Sequence, residues 1–372
     1  MKIAIYQPRA SYYVGGGEVV PLQHAKFLSL AGHQVTLVTV RAKYIKSSGY
    51  FLKFLKENPQ VKVAYIDLPE EFEWIYGELP GQRWIRWDYE SLHVGRLAYC
   101  YFLRQHFDLI AVHNYLDSIA VPFGQKSVLH LHGYPLQSNY MHDLCATIPS
   151  AFISVSELIK QKWLDMAPIR TISVAVNGID ADHFIPMKTD IEYDALYVGR
   201  LIETKGINYL IEALAKLRNK AIRVAIAGSG PEEGNLRKLA KEKKLTQNVH
   251  FLGYVKDEDL PSLYNSALMV VLPSYDREGI LTTMLEAGAC GRPVITTTAC
   301  SMSEYLKNGG NGLLVAPRNA IALAEAMNRL LADSVLADSL GRNARIAAAG
   351  KWSWQIRIKQ VEKIYEKTFS KN

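Results

Sequence analysis

Short apolar runs alternate with longer amphipathic runs along most of this chain of 372 residues. KIAIY, QVTLVTV and FDLIAV are apolar without the polar–apolar alternation of a half-exposed strand, and segments such as GEVVPLQHAKFLSLAGH have helical periodicity. Continuous apolar strands that are separated by helices are typical of parallel sheets covered on both faces. The pattern therefore predicts an α/β fold built from β-α-β units.

The same pattern occurs twice. A second series of strands is formed by YDALYV, RVAIAG, VHFLG, ALMVVL, PVITTT and GLLV. Between the two series, the segment 177–190 loses its periodicity and contains Pro186. We therefore predict two doubly wound Rossmann-like domains, residues 1–176 and 177–352. The amphipathic segment 353–372 follows the second sheet and is expected to pack back onto the first domain.

Composition argues against several classes of protein. The chain is 49% hydrophobic and 21% charged, and no run approaches the roughly 20 apolar residues of a transmembrane helix. The N-terminus lacks the pattern of a signal peptide, and the four cysteines show no metal-ligand spacing. We expect a cytoplasmic protein with reduced thiols.

The formal net charge of +7 is concentrated in the second half of the chain. Residues 1–185 hold 17 basic and 16 acidic residues, whereas the remainder holds 26 and 20. A basic second half suits an anionic ligand such as a nucleotide phosphate. The alternative interpretation is a solvated lysine-rich face, as in KLAKEKKL.

Candidate ligand-binding residues follow the strands, because ligands of open α/β sheets bind beyond the carboxyl ends of the strands. Arg200 and Lys205 follow YDALYV, and two cations near a helix N-terminus can bind a diphosphate; surface charges are an equally good interpretation of these two residues alone. Gly228 and Gly230 follow another strand, but Glu233 replaces the last glycine of the dinucleotide fingerprint. We interpret this as a tight turn that lets a ligand or another backbone segment come close.

Two glutamates lie eight residues apart in REGILTTMLEAG. Glu278 precedes the expected helix, where the N–H groups of Gly279, Ile280 and Leu281 are unpaired. Glu286 lies about two turns further on, near the same side of the helix. A buried carboxylate there needs donors, which vicinal hydroxyls would supply. In the alternative interpretation, the helix dipole favours the acid Glu278 at the helix N-terminus, and Glu286 is a structural glutamate within the helix whose hydrogen bonds are satisfied.

The strand ends of the first half carry glycines and histidines. Gly16 and Gly17 precede the first helix in YYVGGGEVV and permit close approach to a ligand, although a flexible turn would also explain them. His130 and His132 share one face of the strand VLHLH, and His132 is the one expected to meet solvent or substrate. No third ligand at suitable spacing supports a metal site.

Nine segments of the chain are, in order, GGGE, HLHG, SVSE, VNGID, YVGRLIETKG, AGSGP, FLGYV, EGILTTMLEAGACGRPVI and NGLLV. Together they resemble the motifs of the retaining glycosyltransferases of family 4. The resemblance implies the GT-B fold of that family, in which two Rossmann-like domains face each other across a cleft. The resemblance covers most of the chain outside residues 40–105. It implies a catalytic set that consists of His132, Arg200, Lys205 and Glu278. The expected donor-binding set is Gly16, Gly17, Asn177, Arg200, Lys205, Gly228, Gly230, Glu278, Gly279, Ile280, Leu281, Thr282 and Glu286.

The resemblance also implies roles. Arg200 and Lys205 would stabilise the leaving diphosphate, Glu286 would bind the nucleotide ribose, and His132 would lie beside the donor sugar near the reacting carbon. Glu278 and the backbone from Gly279 to Thr282 would contact the donor sugar and the distal phosphate. Gly16 and Gly17 would approach the diphosphate, and Asn177 would lie near the hinge between the domains.

The activity implied is transfer of a sugar, with retention of configuration, from a UDP- or GDP-sugar to a glycan or lipid-linked acceptor in polysaccharide or glycolipid biosynthesis. No cofactor and no metal are expected. CSMSE (300–304) replaces the family's Gly-Gly-x-Pro-Glu turn, which leaves the donor open. A sugar-nucleotide epimerase or phosphorylase-like enzyme of the same fold remains an alternative, as does a non-catalytic binder of nucleotide-sugars or nucleic acid.

The segment 70–104 matches no family motif and is rich in aromatic residues interleaved with arginines. Trp74, Trp84 and Trp87 suit stacking on an acceptor sugar, or contact with a lipid-linked acceptor at the inner face of the membrane. An aromatic core beneath a long loop is the alternative interpretation.

Overall fold

The computed structural model describes residues 1–43, 45–72, 83–135, 145–166, 171–276 and 281–370, with the backbone alone at 83–86 and 300. Two compact units are present. The first comprises Met1–Val176 together with Arg357–Asn372, and the second comprises Asn177–Ile356. Within the described residues, no helix has both the length and the apolar character needed to cross a bilayer.

The first unit is built on a seven-stranded parallel sheet with the order β3-β2-β1-β4-β5-β6-β7. Its strands are β1 (Lys2–Tyr6), β2 (Gln34–Arg41), β3 (Lys62–Asp67), β4 (Leu109–Val112), β5 (Ser127–Leu131), β6 (Ala151–Ser154) and β7 (Ser173–Val174). Its helices are α1 (Gly16–Leu30), α2 (Gly49–Glu57), α3 (Arg83–Leu103) and α4 (Glu157–Met166). Strands β4 and β5 are buried along their whole length, as expected for central strands that are covered on both faces.

The second unit repeats this architecture with a six-stranded parallel sheet in the order β10-β9-β8-β11-β12-β13. Its strands are β8 (Tyr193–Val198), β9 (Val224–Ala227), β10 (Val249–Gly253), β11 (Ala267–Leu272), β12 (Val294–Thr297) and β13 (Leu313–Val315). Its helices are α5 (Ile207–Leu214), α6 (Glu233–Glu242), α7 (Leu260–Asn265), α8 (Thr282–Ala289), α9 (Ala320–Ala332) and α10 (Ser334–Gly350). The predicted fold class of two doubly wound α/β units is confirmed.

The last helix, α11 (Trp354–Phe369), begins in the second unit and lies in the first from Arg357 onward. Val361 and Tyr365 of this helix are buried. Its Glu362 accepts a hydrogen bond from the ring of His33, at 2.8 Å from Nε2. The C-terminal segment is thus part of the core of the unit in which the chain begins.

Strand order reverses once in each sheet, between β1 and β4 and between β8 and β11. At such a point the connections leave to opposite faces, so that the loops at the carboxyl ends of the two strands part and leave room for a ligand. The loops that follow β1, β4, β8 and β11 are therefore where a site is expected.

Candidate functional site

The loop after β8 carries the two predicted phosphate-binding cations in different environments. Arg200 is exposed, and its carbonyl accepts a hydrogen bond of 2.9 Å from the hydroxyl of Tyr197. Lys205 is only 8% exposed and ends a 3₁₀ turn just before α5. A buried lysine beside a helix N-terminus is better suited to hold an anion than an exposed arginine that competes with solvent.

Gly206 fixes this loop against the segment that follows β11. Its φ of +67° is left-handed, and a Cβ atom there would lie 2.3 Å from the carbonyl oxygen of Pro273. The amide of Tyr275 donates to the carbonyl of Thr204 at 3.0 Å, and the Tyr275 hydroxyl donates to Glu203 at 3.1 Å. The loop that carries Lys205 is therefore tied to the chain that leads into the Glu278 region.

The Gly228-Ser229-Gly230 turn packs closely against another segment of the backbone. A Cβ atom at Gly228 would lie 1.8 Å from the carbonyl oxygen of Gly199, and one at Gly230 would lie 2.2 Å from that of Leu201. The amide of Leu201 also donates to the carbonyl of Ser229 at 2.9 Å. The sequence allowed either a ligand or another backbone segment to come close to this turn. In these contacts it is a backbone segment, the loop that carries Arg200.

Glu286 lies in α8, one turn after Thr282. Its side chain is partly exposed, and its Oε2 accepts a hydrogen bond of 2.7 Å from the hydroxyl of Tyr264, which is fully buried. Burial raises the pKa of Glu286 from 4.5 to about 7, although the hydrogen bonds from Tyr264 and Thr282 oppose this rise. The carboxylate is therefore costly to ionise in the free protein, and further donors from a ligand would favour its charged form.

The entry to α8 provides a helix N-terminus without a side-chain cap. Leu281 is the extended N-cap residue and is buried, and Thr282 begins the helix. Glu278, Gly279 and Ile280 lie outside the described residues, so that their predicted contacts stay predictions. CSMSE forms a 3₁₀ turn, Cys300–Glu304, after β12.

Asn177 and Gly178 begin the second unit. Asn177 is buried, and a Cβ atom at Gly178 would lie 2.6 Å from the ring of Trp354. The neighbouring Ile179 pairs with the start of α11, because its amide donates to the carbonyl of Trp352 at 2.8 Å. The expected contact of Asn177 with the donor stays a prediction.

In the first unit, Gly16 and Gly17 begin α1. The extended Gly15 precedes them as N-cap, without a side-chain hydrogen bond to the helix. A Cβ atom at either Gly16 or Gly17 would meet nothing within 4 Å among the described residues, apart from chain neighbours and the backbone of the helix itself. Packing against the described residues therefore does not require glycine at these positions, and their predicted approach to the diphosphate stays a prediction.

A buried arginine, which the sequence did not single out, fixes the chain ahead of these glycines. Arg9 is 2% exposed and lies among three carboxylates. Its guanidinium is 2.7 Å from Asp117, 3.3 Å from Glu90 and 4.0 Å from Glu18. Burial raises the pKa of Asp117, whereas Arg9 lowers it. This network joins the β1–α1 connection to α3 and to the loop after β4.

The described side chains of the segment 70–104 include both buried and exposed residues. Trp74 and Trp84 lie outside the residues whose side chains are described. The Trp87 ring is 5.8 Å from the Arg9 guanidinium, and Glu90 is fully buried, so that one side of α3 packs against the interior of the first unit. On the other side, Tyr89 is 43% exposed and Leu92 is 41% exposed, and the predicted contact with an acceptor stays a prediction.

His132 follows β5 and is joined to three other histidines. His24, His113 and His130 are all at most 5% exposed, whereas His132 is partly exposed. Nδ1 of His113 is 3.0 Å from Nε2 of His132. Burial lowers the pKa of His132 to about 4 and holds the pKa values of the other three well below 6.5. All four rings are therefore neutral near pH 7.

The fold brings other histidines near the β5 histidines, which spacing along the sequence did not indicate. Ring nitrogens of His24, His113 and His130 lie within 4.8 Å of one another. However, the rings of His113 and His130 are stacked, with centroids 4.4 Å apart and planes 10° from parallel. Because the lone pair of an imidazole lies in its ring plane, these two rings cannot direct their lone pairs at one ion as they stand. Metal independence stays a prediction.

Comparison with known proteins gives a family match in the second unit. Residues 179–347 match the family model described as glycosyl transferases group 1. Among curated proteins, an uncharacterized glycosyltransferase of Methanocaldococcus jannaschii is 36% identical over 58% of this chain and 59% of its own length. The alpha-D-kanosaminyltransferase of Streptomyces kanamyceticus is 34% identical over 46% of this chain and 44% of its own length. The chain thus spans about half the length of these relatives.

Solved structures match nearly the whole chain. HepE of Anabaena in complex with UDP has a TM-score of 0.77 and 20% identity, and the match covers 99% of this chain and 100% of that protein. Sucrose-phosphate synthase of Thermosynechococcus elongatus has a TM-score of 0.79 and 21% identity, with 99% of both chains covered. These likenesses confirm the GT-B fold.

Proposed function

We propose that this chain, whose residues 179–347 match the group 1 glycosyltransferase family model, is a retaining glycosyltransferase. It transfers a sugar from a UDP- or GDP-sugar to a glycan or lipid-linked acceptor. The observation that carries the proposal is that the segment matching the family holds a buried lysine after β8, Lys205, and a carboxyl group in α8, Glu286, whose pKa burial raises to about 7.

Donor binding uses these two groups in different ways. Lys205 and the N-terminus of α5 stabilise the diphosphate, and Arg200 adds charge from the surface of the loop. Glu286 accepts hydrogen bonds from the ribose hydroxyls, which take the place of water at the exposed side of the carboxylate. The named relatives support a nucleotide-sugar donor, and the HepE complex contains UDP.

The reaction breaks the bond between the anomeric carbon and the diphosphate oxygen. Charge then develops on the departing diphosphate, where Lys205 and Arg200 stabilise it without a divalent metal. The acceptor hydroxyl attacks from the face that the diphosphate leaves, its proton passes to a diphosphate oxygen, and the configuration of the sugar is retained. Attack on a short-lived oxocarbenium-like species requires no nucleophile from the protein.

The acceptor is bound by the first unit. The exposed side of α3, with Tyr89 and Leu92, offers aromatic and apolar surface for a sugar ring or a lipid-linked acceptor. Glu90 is buried against Arg9, and Trp87 contacts the same arginine. Deletion of this part of α3 would therefore disrupt the packing of the β1–α1 connection. Tyr89→Ala is the cleaner test, and we expect it to raise the KM for acceptor at least several-fold while donor hydrolysis is unchanged.

The experiment that tests the function is a thermal-shift screen against UDP-, GDP-, ADP- and CMP-sugars. We expect one nucleotide to raise the melting temperature, and expect Lys205→Ala or Glu286→Ala to abolish that shift. Lys216→Ala, which removes an exposed lysine just beyond α5, should preserve it. Indifference to all four nucleotides would refute the proposal, and a product of inverted configuration, seen by NMR of the anomeric proton, would refute retention.

The alternatives considered from the sequence gain no support. The relatives matched here are named as glycosyltransferases or as synthases, and none of those names describes an epimerase or a nucleic-acid binder.

A further inference from the structure

The contact between His113 and His132 has the geometry of a hydrogen bond between two ring edges. Nδ1 of His113 and Nε2 of His132 are 3.0 Å apart, the ring planes differ by 12°, and the centroids are 5.2 Å apart. This centroid distance is close to the hydrogen-bond length plus the two centre-to-nitrogen radii, so the bond lies in both ring planes, where N–H bonds and lone pairs point. Between two neutral rings, one nitrogen must donate and the other must accept.

The direction of this bond follows from the other nitrogen of His113. Its Nε2 is buried and has no hydrogen-bond partner among the described residues. If His132 donated, the proton of His113 would be on Nε2, and a buried N–H group would have no acceptor. If His113 donates from Nδ1, its Nε2 is a bare lone pair. A buried donor without an acceptor is the rarer and costlier case.

We propose that His113 is a positioning residue that fixes His132 as the tautomer protonated on Nδ1. His132 then presents an N–H donor, and not a lone pair, to an oxygen of the bound sugar nucleotide. The assignment of that oxygen to the donor rests on the proposed function, whereas the tautomer itself does not.

The position of Nδ1 of His132 supports this role. His132 is the one partly exposed histidine of the four, and no group of the described part of the chain bonds to its Nδ1. The following residue, Gly133, is held in place because the indole of Trp163 donates to its carbonyl at 2.9 Å. The N–H group therefore lies at a strand end whose backbone is fixed.

The other two histidines hold the ring of His113. His113 stacks on His130, and Nε2 of His130 is 2.7 Å from the hydroxyl of Tyr365 in α11. His24 packs against both rings at a steep angle, with centroids 5.2 Å and 4.9 Å away. A ring enclosed in this way cannot rotate to offer Nε2 to His132 without displacing its neighbours.

The tautomer is measured directly on the full-length protein labelled with ¹⁵N-histidine. Long-range ¹H–¹⁵N spectra at pH 7 distinguish a protonated nitrogen from a bare one, and His132→Asn assigns the signals. We expect Nδ1 of His132 to be protonated and Nε2 to be bare. The opposite tautomer, or a ring protonated on both nitrogens, would overturn the inference. This readout needs neither donor nor transfer, so it remains valid if the proposed function fails.

Two variants separate positioning from packing. His113→Phe keeps the stacked ring but cannot donate, and His113→Asn places an amide nitrogen close to the position of Nδ1. We expect His113→Phe to lower kcat about tenfold with UDP affinity unchanged, and His113→Asn to restore most of that loss. Equal losses in both variants, with the His132 tautomer unchanged, would refute the role of His113.

A metal ion is the remaining outcome to test. Purified protein is analysed for zinc by mass spectrometry, before and after incubation with Zn²⁺ and with a chelator. We expect less than a tenth of an equivalent to remain after desalting. One equivalent that is lost in His24→Ala would overturn the argument from an unpartnered Nε2, because an ion bound to that nitrogen of His113 would then fix the proton on Nδ1. If the His113 variants fail to fold, the spectrum of the unmodified protein still decides.

Discussion

Glu286→Gln is expected to stabilise the free protein and to weaken the binding of its ligand. Glu286 is a carboxyl group whose pKa rises from 4.5 to about 7 on folding, chiefly through burial. Glutamine has nearly the same shape and stays neutral, and its amide oxygen can still accept the hydrogen bond from Tyr264. The substitution thus removes the cost of ionisation and preserves the packing of α8.

The sign and size of the effect follow from proton linkage. The folded-state pKa is the higher one, so the protonated form stabilises the fold fully below pH 4.5, and this stability is lost as pH rises through about 7. At 1.36 kcal/mol per pKa unit, the shift corresponds to at most about 3 kcal/mol. Because the side chain is partly exposed and solvent screens its charge, we expect about 1.5 kcal/mol.

The assay is urea denaturation of both proteins at pH 5 and pH 8. We expect Glu286→Gln to be the more stable protein at pH 8, with a smaller difference at pH 5. Glu325→Gln, an exposed position in α9, serves as the control and should change stability equally little at both values. A Glu286→Gln protein that is less stable at pH 8 would refute the reasoning, because the carboxylate would then be a satisfied structural group.

Ligand binding provides the other half of the test. Loss of a charged acceptor for two ribose hydroxyls should weaken UDP binding by about 10- to 100-fold, which corresponds to about 1.5–3 kcal/mol. Titration calorimetry in two buffers of different ionisation enthalpy should also show proton release on binding to the unmodified protein at pH 6.5. No release in the unmodified protein would mean that the nucleotide does not contact Glu286.

Three further substitutions test the surroundings of the site. Lys205→Ala should weaken UDP binding by about 10- to 100-fold in a calorimetric titration, because a charge-assisted bond of about 1.5–3 kcal/mol is lost. Equal affinity of the Lys205→Ala and Lys216→Ala proteins for UDP would contradict the diphosphate role of Lys205. Gly230→Ala should cost about 3 kcal/mol or more of unfolding free energy, because the new methyl group meets a carbonyl oxygen. Its matched control is Gly234→Ala in α6, where a Cβ atom meets nothing within 4 Å among the residues that the structure describes, the helix's own nearby backbone aside, and a gain of about 0.5–1 kcal/mol is expected in urea denaturation. Arg9→Met should cost about 3–5 kcal/mol in the same assay, because Glu90 and Asp117 remain buried without their cation; a near-neutral result would mean that water reaches these carboxylates.

The sequence located the candidate residues that follow strands. Arg200, Lys205 and His132 each lie just beyond an apolar run, and the topology of a parallel sheet brings such positions to one edge. It could not separate Arg200 from Lys205, because their different burial depends on how the loop after β8 packs on the loop after β11. Periodicity along one segment carries no information on that contact.

Partners from distant segments were missed for the same reason. Arg9 also follows a strand, but its buried charge is explained only by Glu90 and Asp117, which lie 81 and 108 residues further along the chain. Tyr264 donates a hydrogen bond to Glu286 although 22 residues separate the two in sequence. Its role therefore also depends on a contact that only the fold creates. His113 was the one that could have been found, because it follows β4 as His132 follows β5, and these two strands are neighbours.

The charged and neutral groups described above differ between the two units. On the proposed function, this difference indicates which unit binds the donor more strongly. In the first unit, Arg9 is enclosed by carboxylates and four histidines are neutral, so these groups offer a diphosphate no free charge. In the second unit, Lys205 lies beside a helix N-terminus and Glu286 is poised to lose a proton. We infer that the second unit supplies most of the donor affinity. The corresponding groups of the first unit, the His132 N–H group and the first amides of α1, are neutral, and neutral donors discriminate by geometry more than by strength.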